Sequence, residues 1–475
     1  MTLAYIAATL ITGIVLFLNR SRIVNYSMLV LFIAIQCLFT FSVISDKGST
    51  HLSYFTFDAI GILLLCTLTL LSIPAAWHGY IYIKTHNETR QSRAIYFSAL
   101  VLLISAISLG VVSNHIAVTW ILTEITTLAA SALIYHHRNK LALEGTWKYV
   151  FICAISITFV YVGILFLNLS LRATGSQDLS FASLMEHRES LNPFWLKLAF
   201  LFIFTGFTAK MSLVPMFTAS IDAKDTAPAP AGALLATGLI NLGFIGFFRV
   251  YIIMANTPLA RWTNILIGAA GVISIFLATV YMLRVKNIKR MFAYSGMEHM
   301  GLVMIGLVAG GVGYYAAILQ LILHSLIKSG LFFQFTQIYR VFQNKNIYYT
   351  GYYFRYNVTG ALALLTGFFC ITAIPPSGLF VSEFLIFRSL FDSHMLLILI
   401  VLLVLLTTII WAFGKNMFRL LFQPPVEFDE SSVPVISPWE SASQFILFAI
   451  ALWLGFNPPE GFMNLIKESV MLLPN

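Results

Sequence analysis

The chain has 475 residues, of which 59% are hydrophobic and only 10% charged, and its mean hydropathy is +0.87. That composition excludes an ordinary soluble domain, and the net charge of +9 comes without the basic soluble face that nucleic-acid binding needs. Four scattered cysteines, Cys37, Cys66, Cys153 and Cys370, offer neither a disulfide framework nor a Cys-x-x-Cys metal or cluster site.

A membrane-spanning helix needs about 20 mostly apolar residues. Windows of that kind recur at 1–18, 23–45, 57–83, 94–112, 115–134, 148–171, 197–217, 230–253, 261–284, 291–310, 313–339, 359–390, 395–421 and 442–457. The pattern predicts an all-α, polytopic membrane protein of about fourteen spans, with a tail, 457–475, lying at the interface. No basic stretch precedes the first window and no small-x-small site follows it, so it is expected to remain as a span. Most of the 28 Lys and Arg fall in odd-numbered loops, for example Arg20, Arg22, Lys84, Arg138, Lys140, Lys224, Lys286 and Arg290. Basic residues accumulate on the cytoplasmic side, which places both termini outside a bacterial or archaeal cytoplasmic membrane.

Charge at membrane depth costs about 2.5 to 3.5 kcal/mol on insertion scales. Asp58 and Glu298 lie near window ends, where water is expected to reach them; Glu124 and Glu383 do not. Glu124 sits mid-window among small residues that let helices approach closely. It is either a protonated carboxyl satisfied by an interhelical hydrogen bond or a station that binds protons or pairs with a cation.

Lys210 follows in Thr205-Gly-Phe-Thr-Ala-Lys-Met-Ser-Leu-Val-Pro215, with Pro228 and Pro230 beyond. Pro215 removes a helical hydrogen bond, so this helix is expected to break, and broken membrane helices are where transporters place ion sites. A second break is expected in Thr366-Gly-Phe-Phe-Cys-Ile-Thr-Ala-Ile-Pro375-Pro376-Ser-Gly, which Glu383 follows. The shared Thr-Gly-Phe and an offset of five windows point to inverted repeats. The expected division is 1–93 (helices 1–3), 94–253 and 261–421 (two five-helix repeats), and 422–475 (helix 14 and tail). His324 and Lys328 are four apart and share a helical face, as a proton-passing stripe or a structural pair.

These residues resemble the antiporter-like subunits shared by respiratory complex I, multisubunit sodium/proton antiporters and membrane-bound energy-converting hydrogenases. The resemblance covers roughly residues 55–420 and includes Lys289-Arg-Met-Phe-Ala-Tyr-Ser-Gly-Met-Glu-His-Met-Gly301 and Ala227-Pro-Ala-Pro-Ala-Gly-Ala-Leu-Leu235. With Met297-Glu298-His299 and a Ser-Glu-Phe at 382–384, it is strongest to the F-type component of hydrogenase-4 and its relatives. The resemblance implies a membrane-embedded hydrophilic axis of Glu124, Lys210, Asn241, His324, Lys328 and Glu383. Asn241 stands where the family has a lysine, and Phe217 and Lys224 where its loop has histidines.

On this reading Glu124 and Lys210 form a switchable pair: at about 8 Å and an effective dielectric near 20 they interact by roughly 2 kcal/mol, a roughly thirtyfold change in proton occupancy. The proton passes by water at Asn241 to His324 and Lys328 and leaves through Glu383. The chain shows no Gly-rich dinucleotide turn and no cluster ligands, so no cofactor is expected in it. Redox energy comes from partners, namely other membrane subunits and a peripheral redox arm, as in hydrogenase-4 or formate hydrogenlyase complexes. The alternatives are a stand-alone cation or inorganic-carbon transporter subunit and a non-conducting scaffold for an enzyme arm.

Overall fold

Lipid offers no partners to backbone N–H and C=O groups, so an apolar chain of this composition satisfies them within helices. The computed structural model describes residues 1–86, 88–172, 175–426, 428–430 and 433–474. In chain order the helices are α1 (Thr2–Leu18), α2 (Arg22–Ser45), α3 (Ala59–Thr85), α4 (Arg90–Val111), α5 (Ile116–Ile134), α6 (Lys140–Leu171), α7 (Phe181–Glu186), α8 (Pro193–Met211), α9 (Thr218–Thr226) and α10 (Ala229–Leu235). They continue as α11 (Gly238–Ala255), α12 (Ala260–Arg284), α13 (Ile288–Ala309), α14 (Val312–Phe342), α15 (Tyr353–Tyr356), α16 (Val358–Ile371), α17 (Gly378–Asp392), α18 (Leu396–Phe422), α19 (Ala442–Phe456) and α20 (Glu460–Val470). A two-stranded hairpin, Thr50–His51 with Phe55–Thr56, precedes α3.

Among the described residues twelve helical segments are long and apolar enough to cross a membrane, and α1 and α16 are shorter apolar helices. The protein is an all-helical, multi-pass membrane protein. Side-chain caps fix many helix starts: Asp58 accepts from Gly61 N at α3, Asn139 from Ala142 N at α6, Asn192 from Phe194 N before Pro193 at α8, and Asn287 from Lys289 N at α13. Each replaces the intrahelical partner that the first turn lacks.

The chain forms two compact units, one of Met1–Ala227, Gly238–Leu266 and Asn464–Asn475, the other of Pro228–Thr237 and Ile267–Met463. In the first, α6 and α8 pack along each other, with α5, α9 and α11 against them. Close approach there depends on small residues: a Cβ on Gly243 of α11 would lie 2.8 Å from Lys210 Cβ on α8. In the second, α14 is buried over its whole candidate span and is surrounded by α13, α16, α17 and α19.

Two expected spans are interrupted. The chain leaves α8 at Ser212, whose φ of 62° is left-handed, and re-enters a helix at Thr218. It leaves α16 at Ile371 and resumes at Gly378. Val214–Pro215 and Pro375–Pro376 are cis peptides. Across the second gap Ser377 Oγ donates to Cys370 O and accepts from Phe380 N. All four cysteines are free thiols.

Candidate functional site

In the first unit the broken end of α8 presents Lys210. The side chain is 3% exposed, and its ammonium donates to Thr127 Oγ1 of α5 at 2.7 Å and to Tyr149 OH of α6 at 3.1 Å. It also lies 5.1 Å from the Tyr149 ring centroid. Lys210 occupies the last turn of α8, where unpaired carbonyls carry partial negative charge. The break thus favours a cation without supplying a carboxylate. Among the described residues no ion pair joins Lys210 to Glu124, which is half-buried on α5 with Oε2 lacking a hydrogen-bond partner. The arrangement is therefore a buried amine held by two neutral hydroxyls at the end of α8.

Asn241 is buried on α11, two residues before the Gly243 that packs against Lys210. A neutral amide there adds hydrogen-bonding capacity without a second positive charge. Asp58, the other acid near a window end, caps α3 and pairs with Arg249 of α11 at 2.9 Å. Arg249 also donates to Val111 O at 3.1 Å, so this pair ties α3, α4 and α11 together.

In the second unit a polar line runs across α13, α14 and α17. Gln320, His324 and Lys328 recur every four residues along α14, and all three are buried. Lys328 Nζ donates to Ser295 Oγ of α13. The rings of His324 and His299 lie 5.0 Å apart. Gln320 Nε2 donates to His299 Nδ1 at 3.1 Å and to Glu383 Oε1 at 3.3 Å, while Ser382 Oγ donates to Gln320 Oε1 and fixes the amide's orientation.

Glu298 corrects the sequence reading. It does not lie where water reaches it: it is 5% exposed in the middle of α13, and its carboxyl, His299 and Glu383 have polar atoms within 4.8 Å of one another. The window-end argument failed because Asn287 starts α13 three residues before the apolar window does.

The structure thus joins Glu383 to His299 through Gln320, with the His324 ring beside His299 and Lys328 four residues further along α14 on Ser295, while Glu124, Lys210 and Asn241 lie on α5, α8 and α11 of the first unit. Sequence reasoning missed Tyr149, Thr127, Ser295, His299 and Gln320 as partners. Gln320 carried a readable signal, four residues before His324 on the same face; a tyrosine or threonine in an apolar window carries none. Lys224 was seen only as a lost histidine, yet it is buried.

The membrane model of the NADH:quinone oxidoreductase/Mrp antiporter family matches residues 113–410. The hydrogenase-4 component F homolog of Methylacidiphilum infernorum (isolate V4) is 28% identical over 374 residues, which is 75% of this chain and 78% of that protein. Hydrogenase-4 component B of Escherichia coli (strain K12) is 27% identical over 351 residues, covering 70% of this chain and 50% of its own. A chain of the membrane-bound sulfane sulfur reductase, an archaeal respiratory membrane complex, superposes with a TM-score of 0.86 at 18% identity over 99% of this chain and 97% of its own. The matched stretch contains both polar groups from Glu124 to Glu383, and the chain belongs to the NADH:quinone oxidoreductase/Mrp antiporter membrane family.

Proposed function

We propose that the chain is a proton-translocating, antiporter-like subunit of a redox-driven membrane complex of the hydrogenase-4 type, working with other membrane subunits and a peripheral redox arm. The observation that carries this reading is Lys210: an ammonium buried at a helix break and held by two neutral hydroxyls, one of them on α5, the helix that also carries Glu124. Burying a charge without a counter-ion costs several kcal/mol, and such groups in membranes mark ion pathways. Approach of Glu124 holds the proton on Lys210, and withdrawal releases it. In the second unit Gln320 bridges His299 and Glu383, the His324 ring lies 5.0 Å from that of His299, and Lys328 follows four residues along α14, a set of groups suited to the same task. The hydrogenase-4 relatives favour a hydrogenase-type complex, the redox step residing in partner subunits. We read 94–253 and 261–421 as inverted repeats, supported by the interrupted span after Thr-Gly-Phe in each, and both termini as external, supported by the basic odd-numbered loops.

The test is proton uptake in inverted vesicles carrying the complex, energised by its electron donor and followed with a pH-sensitive dye. Lys210→Ala and Glu124→Gln abolish uptake while assembly persists. Unchanged pumping in both variants removes the relay and favours a scaffold role. Labelling of cysteines introduced near residues 1 and 470 by an impermeant maleimide on intact cells tests the orientation.

A further inference from the structure

Between α8 and α10 the chain forms α9, a short helix outside the candidate spans. Its Lys224 is 1% exposed. The amine donates to Ser212 Oγ at 2.6 Å, and that hydroxyl is 2.6 Å from Ser220 Oγ. No carboxylate pairs with Lys224 among the described residues. Ser212 is the left-handed residue that ends α8, two positions after Lys210, so its unusual backbone aims a hydroxyl at the amine. Helix α9 is pressed onto α6, where a Cβ on Gly145 would lie 2.7 Å from Thr226 Oγ1. At the rim of that contact Lys148 bridges Glu144 at 2.6 Å and Asp222 at 3.9 Å, all three at least part exposed. One short helix after the break thus carries Ser220, whose hydroxyl meets that of Ser212, the part-exposed Asp222 of the rim, and the buried amine of Lys224.

We propose that Lys224 is a second proton-binding site of the first unit, taking protons from the Glu144–Lys148–Asp222 rim and passing them through the Ser212 and Ser220 hydroxyls. The step conserves atoms: the neutral amine binds one proton from rim water to become an ammonium, then returns one proton to the hydroxyl pair, each hydroxyl giving one as it receives one. Burial pushes the Lys224 amine down to about 7, which lets it cycle near neutral pH. Its own helix carries Asp222 and Asp225, and the helices packed against α9 carry Glu144, Lys148 and Tyr149 on α6, Glu124 on α5 and Lys210 on α8. The lysine in place of the family's loop histidine then replaces one titratable group by another.

This inference rests on the proton-relay reading, and the test separates the two. In inverted vesicles carrying the whole complex, Lys224→Gln and Lys224→Arg lower proton uptake at least about tenfold, since neither cycles a proton near pH 7. Lys224→His restores uptake with an altered pH profile set by the imidazole, whose ordinary value is about 6.5. A purely structural amine would be replaced well by arginine and poorly by histidine. Wild-type rate and pH profile in all three variants, with Lys210→Ala inactive, overturns this site alone; if Lys210→Ala is also active, the relay itself falls. Should the arginine variant fail to assemble, the histidine variant decides, an unshifted pH profile counting against the site.

Discussion

Replacing Lys210 by methionine, an unbranched side chain of similar length, should silence proton transport while leaving the fold nearly as stable. Desolvating a lone ammonium costs several kcal/mol. Its hydrogen bonds to Thr127 and Tyr149 return about 1.5 to 3 kcal/mol each, the Tyr149 ring about 1 kcal/mol and the end of α8 roughly 0.5 kcal/mol. These contributions offset the desolvation closely, so the net change on removing the charge is within about 2 kcal/mol of zero. A structural lysine would behave otherwise, because a residue kept for stability must contribute a surplus. Thermal unfolding of the detergent-solubilised complex, followed by size-exclusion fluorescence, should show the variant melting within a few degrees of wild type, with vesicle uptake at background. A large loss of melting temperature together with normal uptake per folded complex would refute the reasoning.

Three further outcomes follow from the geometry. Asp58→Ala leaves the buried Arg249 guanidinium without its carboxylate and removes the α3 cap; the cost is about 3 kcal/mol, the low end of the usual range because Asp58 is part exposed, and is read as a lowered melting temperature. Gln320→Leu strips His299 Nδ1 and Glu383 Oε1 of their shared donor and should reduce proton uptake as severely as Glu383→Gln, at unchanged abundance of the complex in membranes. For Lys224, the folded value near 7 lies below the unfolded value near 10.4. Between them the unfolded chain binds more protons, so stability rises with pH from about 7 to about 10. In Lys224→Met that slope in the melting temperature should flatten.

Apolar windows alone determined that this is a multi-pass helical membrane protein, because backbone groups in lipid have no partner outside a helix or a closed barrel and the windows are of helical length. Pro215, Pro375 and Pro376 likewise announced where the chain leaves the helix, since proline lacks the N–H that continues it. Lys210, His324, Lys328 and Glu383 stood out because a charge within an apolar window is costly wherever the helix faces. What each of them touches was decided only in three dimensions. Thr127 and Tyr149 are distant from Lys210 in sequence and unremarkable in composition, and they become its ligands because α5 and α6 bring them to the end of α8. Glu298 looked solvated because its distance from an apolar boundary is measured along the chain, whereas its burial is set by α14 and α17 packed around it. Lys224 read as a histidine lost from a loop; the turn at Ser212 and the closeness of α9 to α6 made it a buried amine. Which atoms lie within hydrogen-bond reach depends on helix packing and backbone direction at the breaks, and those follow from interactions among segments that no local window contains.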